Sequence, residues 1–266
     1  MPPMTKRQQI RALRWAAFGA AIFLRGRART AAWTAHEILR IAPTVLRNSN
    51  LNGPVARQFL TEKNEVWLTI DDGPDPCQTP RLLEILENHG AHASFFVVGK
   101  NADANRALCR RIISGGHTLE NHTHTHLSGL FWAMPRRAIR DEIARCSHAI
   151  RVATGVSPSW FRSPAGLTNA SVHPAAARAG LRVAGWSAAG LDGLPGRDPG
   201  DVSERILRGV KPGAILLMHE GPGRNSPHVL ELLLAGLERK GFRCVIPSGD
   251  ITISNRRSGI LPLRAF

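Results

Sequence analysis

Two adjacent carboxylates, Asp71 and Asp72, close the apolar run "VWLTI" and lie directly before Gly73-Pro74. Like charges side by side repel, and a turn uses one acid at most, so the pair calls for two separate tasks. Further along, His122, His124 and His126 alternate with threonines. Residues four apart share a face in a helix and in an extended strand alike, so His122 and His126 can reach one metal ion in either conformation. His124 then points elsewhere. Neutral imidazole nitrogens suit zinc and similar divalent ions, and a carboxylate is a normal third ligand. One aspartate of the pair would bind the ion, and the other would take a proton from water that the ion has made acidic.

Positioning these groups requires a fold that gathers distant segments at one edge. From Glu65 onward, short apolar runs alternate with helical patterns. "EVWLTI" is a strand ending at the acid pair. "TPRLLEILENHG" is a helix, with Thr79 as N-cap, Pro80 at its first position and Gly90 just past its end. "HASFFVVG" is the next strand, "NADANRALCRRIISGG" a helix closed by Gly115-Gly116, and "HTLENH" a third strand. Pro135 to Thr154 forms a longer helix whose Ile139, Ile143, Cys146 and Ile150 fall on one face. "SWFRSP", "LRVAGWS", "GAILLMHE" and "FRCVIP" are further strands, separated by helices in "NASVHPAAARAG", "DPGDVSERILRGV" and "SPHVLELLLAGLERKG". Seven strands alternating with helices predict parallel pairing through helical crossovers, as a barrel or as a doubly wound open sheet.

In such folds the carboxyl ends of the strands converge on one rim, where active sites form. Asp71 and Asp72 end the first strand, and the histidines follow the third. Arg162-Ser163-Pro164 ends the fourth, Trp186 the fifth with Asp192 just beyond, and His219 the sixth. Five segments delivering reactive groups to one rim is the main argument for an enzyme.

A chain of 266 residues can bury one substantial core, and 43% hydrophobic residues is a globular composition. Lys and Arg number 35 against 20 Asp and Glu, a formal charge of +15 that favours phosphates, anionic lipid headgroups or nucleic acid as neighbours. No aromatic-plus-basic repeat or DNA-binding motif accompanies it, so nucleic acid is not expected. The four cysteines form no C-x-x-C pair, which argues against a zinc ribbon and suits reduced core thiols. His117, His148 and His228 are read as structural or surface residues.

Residues 1–54 form a basic amphipathic extension and linker, 55–250 the catalytic domain, and 251–266 a basic tail. The apolar stretch Trp15 to Leu24 is too short to span a bilayer and lies between arginines. It lacks a small-residue cleavage site. A helix resting on the cytoplasmic face of a membrane is expected, with Trp15, Phe18, Ile22 and Phe23 in the acyl boundary and Arg at anionic headgroups. An uncleaved signal anchor is the alternative. "RNSNLNGP", Arg47 to Pro54, reads as a linker.

Between about Glu65 and Pro247 the chain resembles the polysaccharide deacetylases with NodB homology, carbohydrate esterase family 4. "TIDDGP" resembles the family's T-F-D-D-G-P, "HTHTH" its H-[ST]-x-x-x-H, "RSP" its R-x-P, "GWSAAGLD" its Trp-to-Asp segment and "LMH" its L-x-H. Each is weak alone; all five in order are specific. The resemblance implies an α/β fold, a distorted seven-stranded (β/α) barrel, here with the N-terminal helical extension. It implies Asp71 as general base, Asp72, His122 and His126 as ligands of a divalent metal ion, and His219 as general acid polarised by Asp192. Arg162 would orient Asp71. Trp186 and Leu217 would shape the acyl pocket, and the backbone N–H of Ala165, after Pro164, would face the oxyanion.

Three departures stand out. Ala165 replaces an aromatic common in polymer-acting relatives, Ile70 replaces Phe, and Ala189 replaces an acid that often follows the tryptophan. The expected function is a metal-dependent hydrolase, with zinc the expected ion and cobalt or another divalent ion the alternative. It would remove an N-acyl group, acetyl first, from an amino sugar of a polysaccharide or lipid-linked glycoconjugate, with an anionic membrane surface as a further partner. The alternatives are a deformylase acting on an undecaprenyl-phosphate sugar and an inactive carbohydrate or lipid binder.

Overall fold

The computed structural model describes residues 4, 6–127, 130–193 and 196–247; the basic tail at 251–266 lies outside them. Among the described residues there are eight strands: β1 (Glu65–Asp71), β2 (Ala93–Val97), β3 (Thr118–Asn121), β4 (Trp160–Phe161), β5 (Arg182–Val183), β6 (Ala188–Ala189), β7 (Ile215–His219) and β8 (Arg243–Cys244). Their order is β5-β4-β3-β2-β1-β7-β6, all parallel, with β8 pairing to the start of β1. The path curls into a half-barrel of seven strands, the expected architecture. The seventh member differs from the sequence reading. β6, hidden in "SAAG", takes the edge beside β7, while "FRCVIP" contributes only the two-residue β8 off the path.

The helices are α1 (Lys6–Phe23), α2 (Gly26–Val45), α3 (Thr79–Asn88), α4 (Gly99–Ala104), α5 (Arg106–Ser114), α6 (Arg136–Thr154), α7 (Val172–Arg178), α8 (Pro199–Arg208) and α9 (Ser226–Arg239). The expected single helix over "NADANRALCRRIISGG" is two, α4 and α5, broken at Asn105 with φ −125° and ψ 46°. Asn105 donates its side-chain N–H to the Asn101 carbonyl at 3.0 Å, satisfying an acceptor at the end of α4. Thr79 is not the cap of α3. Gln78 holds that position, and Asp75 Oδ1 accepts from the N–H groups of Cys77 and Gln78.

β1 shows how the layers arise. Its alternate residues Val66, Leu68 and Ile70 pack outward in the large core formed with the helices, which includes Leu82, Leu86, Leu230 and Leu233. Trp67 points inward with Phe96, Trp160 and Ile215, and its indole N–H donates to Ser94 Oγ at 2.7 Å. Thr69 and Asp71 share that inner face, where Arg162 meets both. A two-residue period therefore places an acid at the inner rim.

The half-barrel leaves a seam beyond β5. The chain before β1 fills it: Ala56 bridges in parallel to Ala184, and Gln58 in antiparallel to Ala214. Ala56 donates to the Val183 carbonyl at 2.9 Å, and Phe59 to the Gly213 carbonyl at 2.9 Å.

α1 and α2 form a hairpin that packs chiefly on itself. Phe18 is enclosed there between Trp15, Trp33 and His36, while Trp15, Ile22 and Phe23 stay exposed. Among the described residues, no helix is long and apolar enough to cross a membrane. Cys109 and Cys146 are buried as expected, whereas Cys77 is exposed; all four thiols are free.

Candidate active site

A strand points adjacent side chains to opposite faces, so Asp71 and Asp72 should diverge. They do not, because Asp72 adopts φ +78° and turns the chain back over the rim. The result places Asp71 Oδ2 at 3.6 Å and Asp72 Oδ1 at 3.5 Å from the same atom, His122 Nε2. The loop after β3 uses the same device. Thr123 (φ +68°) and His126 (φ +51°) bend it until the Nε2 atoms of His122 and His126 lie 3.1 Å apart. His126 Nε2 is also 3.1 Å from Asp72 Oδ1.

A tetrahedral ion with bonds of about 2.1 Å separates its ligands by roughly 3.4 Å, and these three distances bracket that value. Two observations support the fit. Asp72 Oδ1 is buried without a hydrogen-bond partner. His122 Nδ1 lies 2.8 Å from the Arg162 carbonyl; donating to it leaves the Nε2 lone pair free toward the gap. Asp72, His122 and His126 thus fit a single divalent cation. Burial opposes charge on Asp72, but the imidazoles of His122, His126 and His219 outweigh it and hold its carboxyl well below the usual range. Burial, with His122 beside it, pushes His126 down to about 4, which keeps that ring neutral near pH 7.

His124 does turn away, as expected. It packs over Gly99, while the N–H groups of His124 and Thr125 donate to Glu142 Oε2 at 3.0 and 2.8 Å. Asn121 Oδ1 accepts from the Thr123 N–H at 3.0 Å, and its amide donates to the Ile143 carbonyl and to Ser147. Glu142 and Asn121 thus hold the ligand loop onto α6.

Asp71 is buried and bound by Arg162, whose Nη1 donates to Asp71 Oδ1 at 2.6 Å and to Thr69 Oγ1 at 2.8 Å. Arg162 Nη2 donates to the Gly185 carbonyl at 2.9 Å, and its guanidinium lies 4.1 Å from the Phe96 ring centre. This fully buried arginine is fixed on several sides, so Asp71 has one oxygen tied and the other facing the site. Across the rim, Asp192 Oδ2 accepts from the His219 N–H and Oδ1 lies 3.0 Å from His219 Nδ1. Burial disfavours the imidazolium, yet the Asp192 bond and charge prevail, and His219 is pushed up.

Asp71, Asp72, His122, His126, Asp192 and His219 line a cavity of about 410 Å³ together with Ala165, Trp186 and Leu217, with Arg162 behind Asp71. Pro164 is buried behind Ala165 in a short 3-10 turn, and Ala165 has φ +54°. Every site residue expected from the sequence therefore lies in this cavity or directly behind it. The described non-glycine residues with positive φ are Asn48, Asp72, Thr123, His126, Ala165 and Leu191. Five line the cavity, and Thr123 lies between two candidate ligands.

Four further participants left no clear signal in the sequence. Arg224 donates to Asp72 Oδ2 at 2.7 Å and to the Glu220 carbonyl, placing a cation on the oxygen that faces away from the gap. Arg47 and Asn48, in the stretch read as a linker, line the cavity. Beneath the acid pair, Glu220 is fully buried and pushed up to about 8 by that burial; Thr79 donates to it at 2.5 Å.

The curled parallel sheet carries its candidate site at the carboxyl rim, the arrangement of a (β/α)-barrel enzyme class. Residues 60–184 match the family model described as Polysaccharide deacetylase. The chain belongs to the polysaccharide deacetylase family. It is 35% identical over 192 residues to a chitooligosaccharide deacetylase of Bradyrhizobium sp. (strain ANU 289), covering 66% of this chain and 86% of that one. A family 4 carbohydrate esterase from Streptomyces lividans, solved with acetate, superposes with a TM-score of 0.64 at 30% identity, over 70% of this chain and 94% of that chain. A family 4 pseudoenzyme from Bacillus anthracis gives a TM-score of 0.64 at 26% identity, over 71% and 65%.

Proposed function

We propose that this chain hydrolyses the N-acetyl group of an amino sugar in an oligosaccharide, with a divalent cation held by Asp72, His122 and His126. The observation that carries the reading is Asp71. It is held by Arg162 on one oxygen and keeps the other 3.6 Å from a candidate ligand nitrogen, where an attacking water would be deprotonated. A bound cation would polarise the amide carbonyl and acidify that water. Asp71 takes the water's proton as the water's oxygen bonds to the carbonyl carbon. The Ala165 N–H faces the developing oxyanion. His219, oriented by Asp192, gives a proton to the sugar nitrogen as the C–N bond breaks, leaving acetate and a free amine. Trp186 and Leu217 flank the acyl methyl group.

The Bacillus anthracis neighbour is a pseudoenzyme, so fold alone does not decide activity. Here Asp71, Asp72, His122, His126, Arg162 and His219 converge on one cavity or its wall, a set that a binder does not need. The test is a mass-spectrometric screen of zinc- or cobalt-replete enzyme against N-acetylated and N-formylated sugars, free and lipid-linked. Exchange of one acetyl for hydrogen is expected. Loss of formyl alone would replace this reading with the deformylase, and no acyl loss from any sugar would refute it.

The Asp192–His219 pair yields a pH prediction. His219 must be protonated to act as acid, and Asp192 raises its pKa. Asp192→Asn removes that charge, so the alkaline limb of the kcat profile moves to lower pH. Asp71 and Asp72 also raise His219 and are retained, so the limb shifts and does not vanish. An alkaline limb at the wild-type position would show that His219 is not the acid.

A further inference from the structure

We propose that Arg47, delivered to the cavity by the segment that precedes the barrel, selects substrates carrying an anionic group beside the scissile acetamide. The inference rests on the deacetylase reading and adds to it the chemistry of the neighbouring substituent.

Arg47 lies outside the family-matched region, which begins at residue 60, yet it lines the same cavity as Asp71 and His219. Its backbone is fixed there. The Asn48 N–H donates to the Gly166 carbonyl at 3.0 Å, and the Asn48 side-chain amide to the Trp186 carbonyl at 3.4 Å. One residue therefore ties together the two walls that carry Ala165 and Trp186. Asn48 has φ +55°, and its side-chain oxygen packs so closely that a Cβ on Gly185 would lie 2.6 Å away. Farther along, Asn50 Oδ1 accepts from the Val55 N–H at 3.1 Å, and the Asn52 amide donates to the Thr168 carbonyl at 2.6 Å. Asn48 and Asn52 thus fasten the strap to the rim and Asn50 braces it internally, a different condition from that of a solvated linker.

The charges in the cavity identify the ligand class. Each carboxylate lining it already has a basic partner: Asp71 has Arg162, Asp72 has Arg224, and Asp192 has His219. Arg47 has no ion pair among the described residues, and its side chain is exposed at the mouth. A divalent ion on Asp72, His122 and His126 would add to the positive excess. The site therefore holds one surplus guanidinium on a fixed backbone. Its planar fork matches a carboxylate or a phosphate oxygen pair. A sugar acid or a sugar phosphate would bring that group to the rim while its acetamide enters the cavity.

The test compares three substrates sharing the acetamide: a neutral chito-oligosaccharide, its counterpart with a lactyl carboxylate on the adjacent sugar, and N-acetylglucosamine 1-phosphate. Wild type is expected to prefer at least one anionic substrate in kcat/KM, and the arm that wins names the anion. Arg47→Ala should lower that preference ratio by roughly tenfold, with Arg47→Lys between the two, and added salt should shrink the wild-type ratio. Binding of the same compounds, read by quenching of tryptophan fluorescence, measures the step without turnover. Arg47-dependent anion binding with no hydrolysis of any substrate would sink the deacetylase reading and the substrate selection that rests on it, leaving Arg47 as an anion contact alone. Hydrolysis with equal ratios in wild type and Arg47→Ala would overturn the inference and leave the deacetylase reading intact.

Discussion

Asp71→Asn is expected to keep the divalent cation and to lose turnover by about 10³-fold, the scale of a general base. The substitution preserves shape and removes the group that accepts the proton. Asp72→Ala should do the opposite in binding. It deletes the oxygen that lies 3.1 Å from His126 Nε2 and 3.5 Å from His122 Nε2, so cation affinity should collapse and activity with it. Metal content by elemental analysis and kcat on an N-acetylated oligosaccharide distinguish the two variants. Metal lost from Asp71→Asn but retained by Asp72→Ala would exchange the two roles. Arg162 sharpens the comparison. Fully buried and within 2.6 Å of Asp71, it would face a neutral amide in Asp71→Asn, so a stability measurement should accompany the kinetics.

Exhaustive chelation should abolish hydrolysis, and zinc or cobalt returned to the dialysed protein should restore it with about one ion per chain. The fold should survive the treatment. Its core is the layer of β1, α3 and α9 and the interior around Trp67, neither of which depends on an ion. Circular dichroism should therefore change little while kcat falls to background. Full activity in excess chelator would remove the cation from the mechanism.

Much of this was legible in the chain. Apolar runs ending in reactive residues identified β1, β3, β4 and β7 and the rim they share, because a parallel α/β sheet repeats one local pattern at each crossover. Asp71, Asp72, His122, His126, Arg162 and His219 followed from residue type at strand ends. The pairing of the acids did not follow from strand geometry. Only the positive φ at Asp72 brings both to His122, and such a turn leaves no periodic trace. Arg224 was hidden for a different reason. It lies 152 residues from Asp72, in a loop whose glycines and proline read as punctuation. Glu142 escaped because its place on α6 looks like an ordinary polar position, whereas its carboxylate gathers two N–H groups of the histidine loop. Arg47 and Asn48 were set aside as a spacer because asparagine and glycine favour turns, and the same side chains serve equally well for docking.

The left-handed backbone at Asn48, Asp72, Thr123, His126, Ala165 and Leu191 has a consequence for anyone breeding a hardier version of this protein. Each such position stores on the order of 1 kcal/mol that glycine would release, so selection for heat resistance alone will be drawn to the cavity wall. Thr123, Ala165 and Leu191 offer the largest relief, since asparagine and aspartate tolerate the conformation better. Gains made there would loosen the loop that carries the imidazoles and the turn at Ala165 proposed to face the oxyanion. Hardening should start in the helical shell, away from the rim.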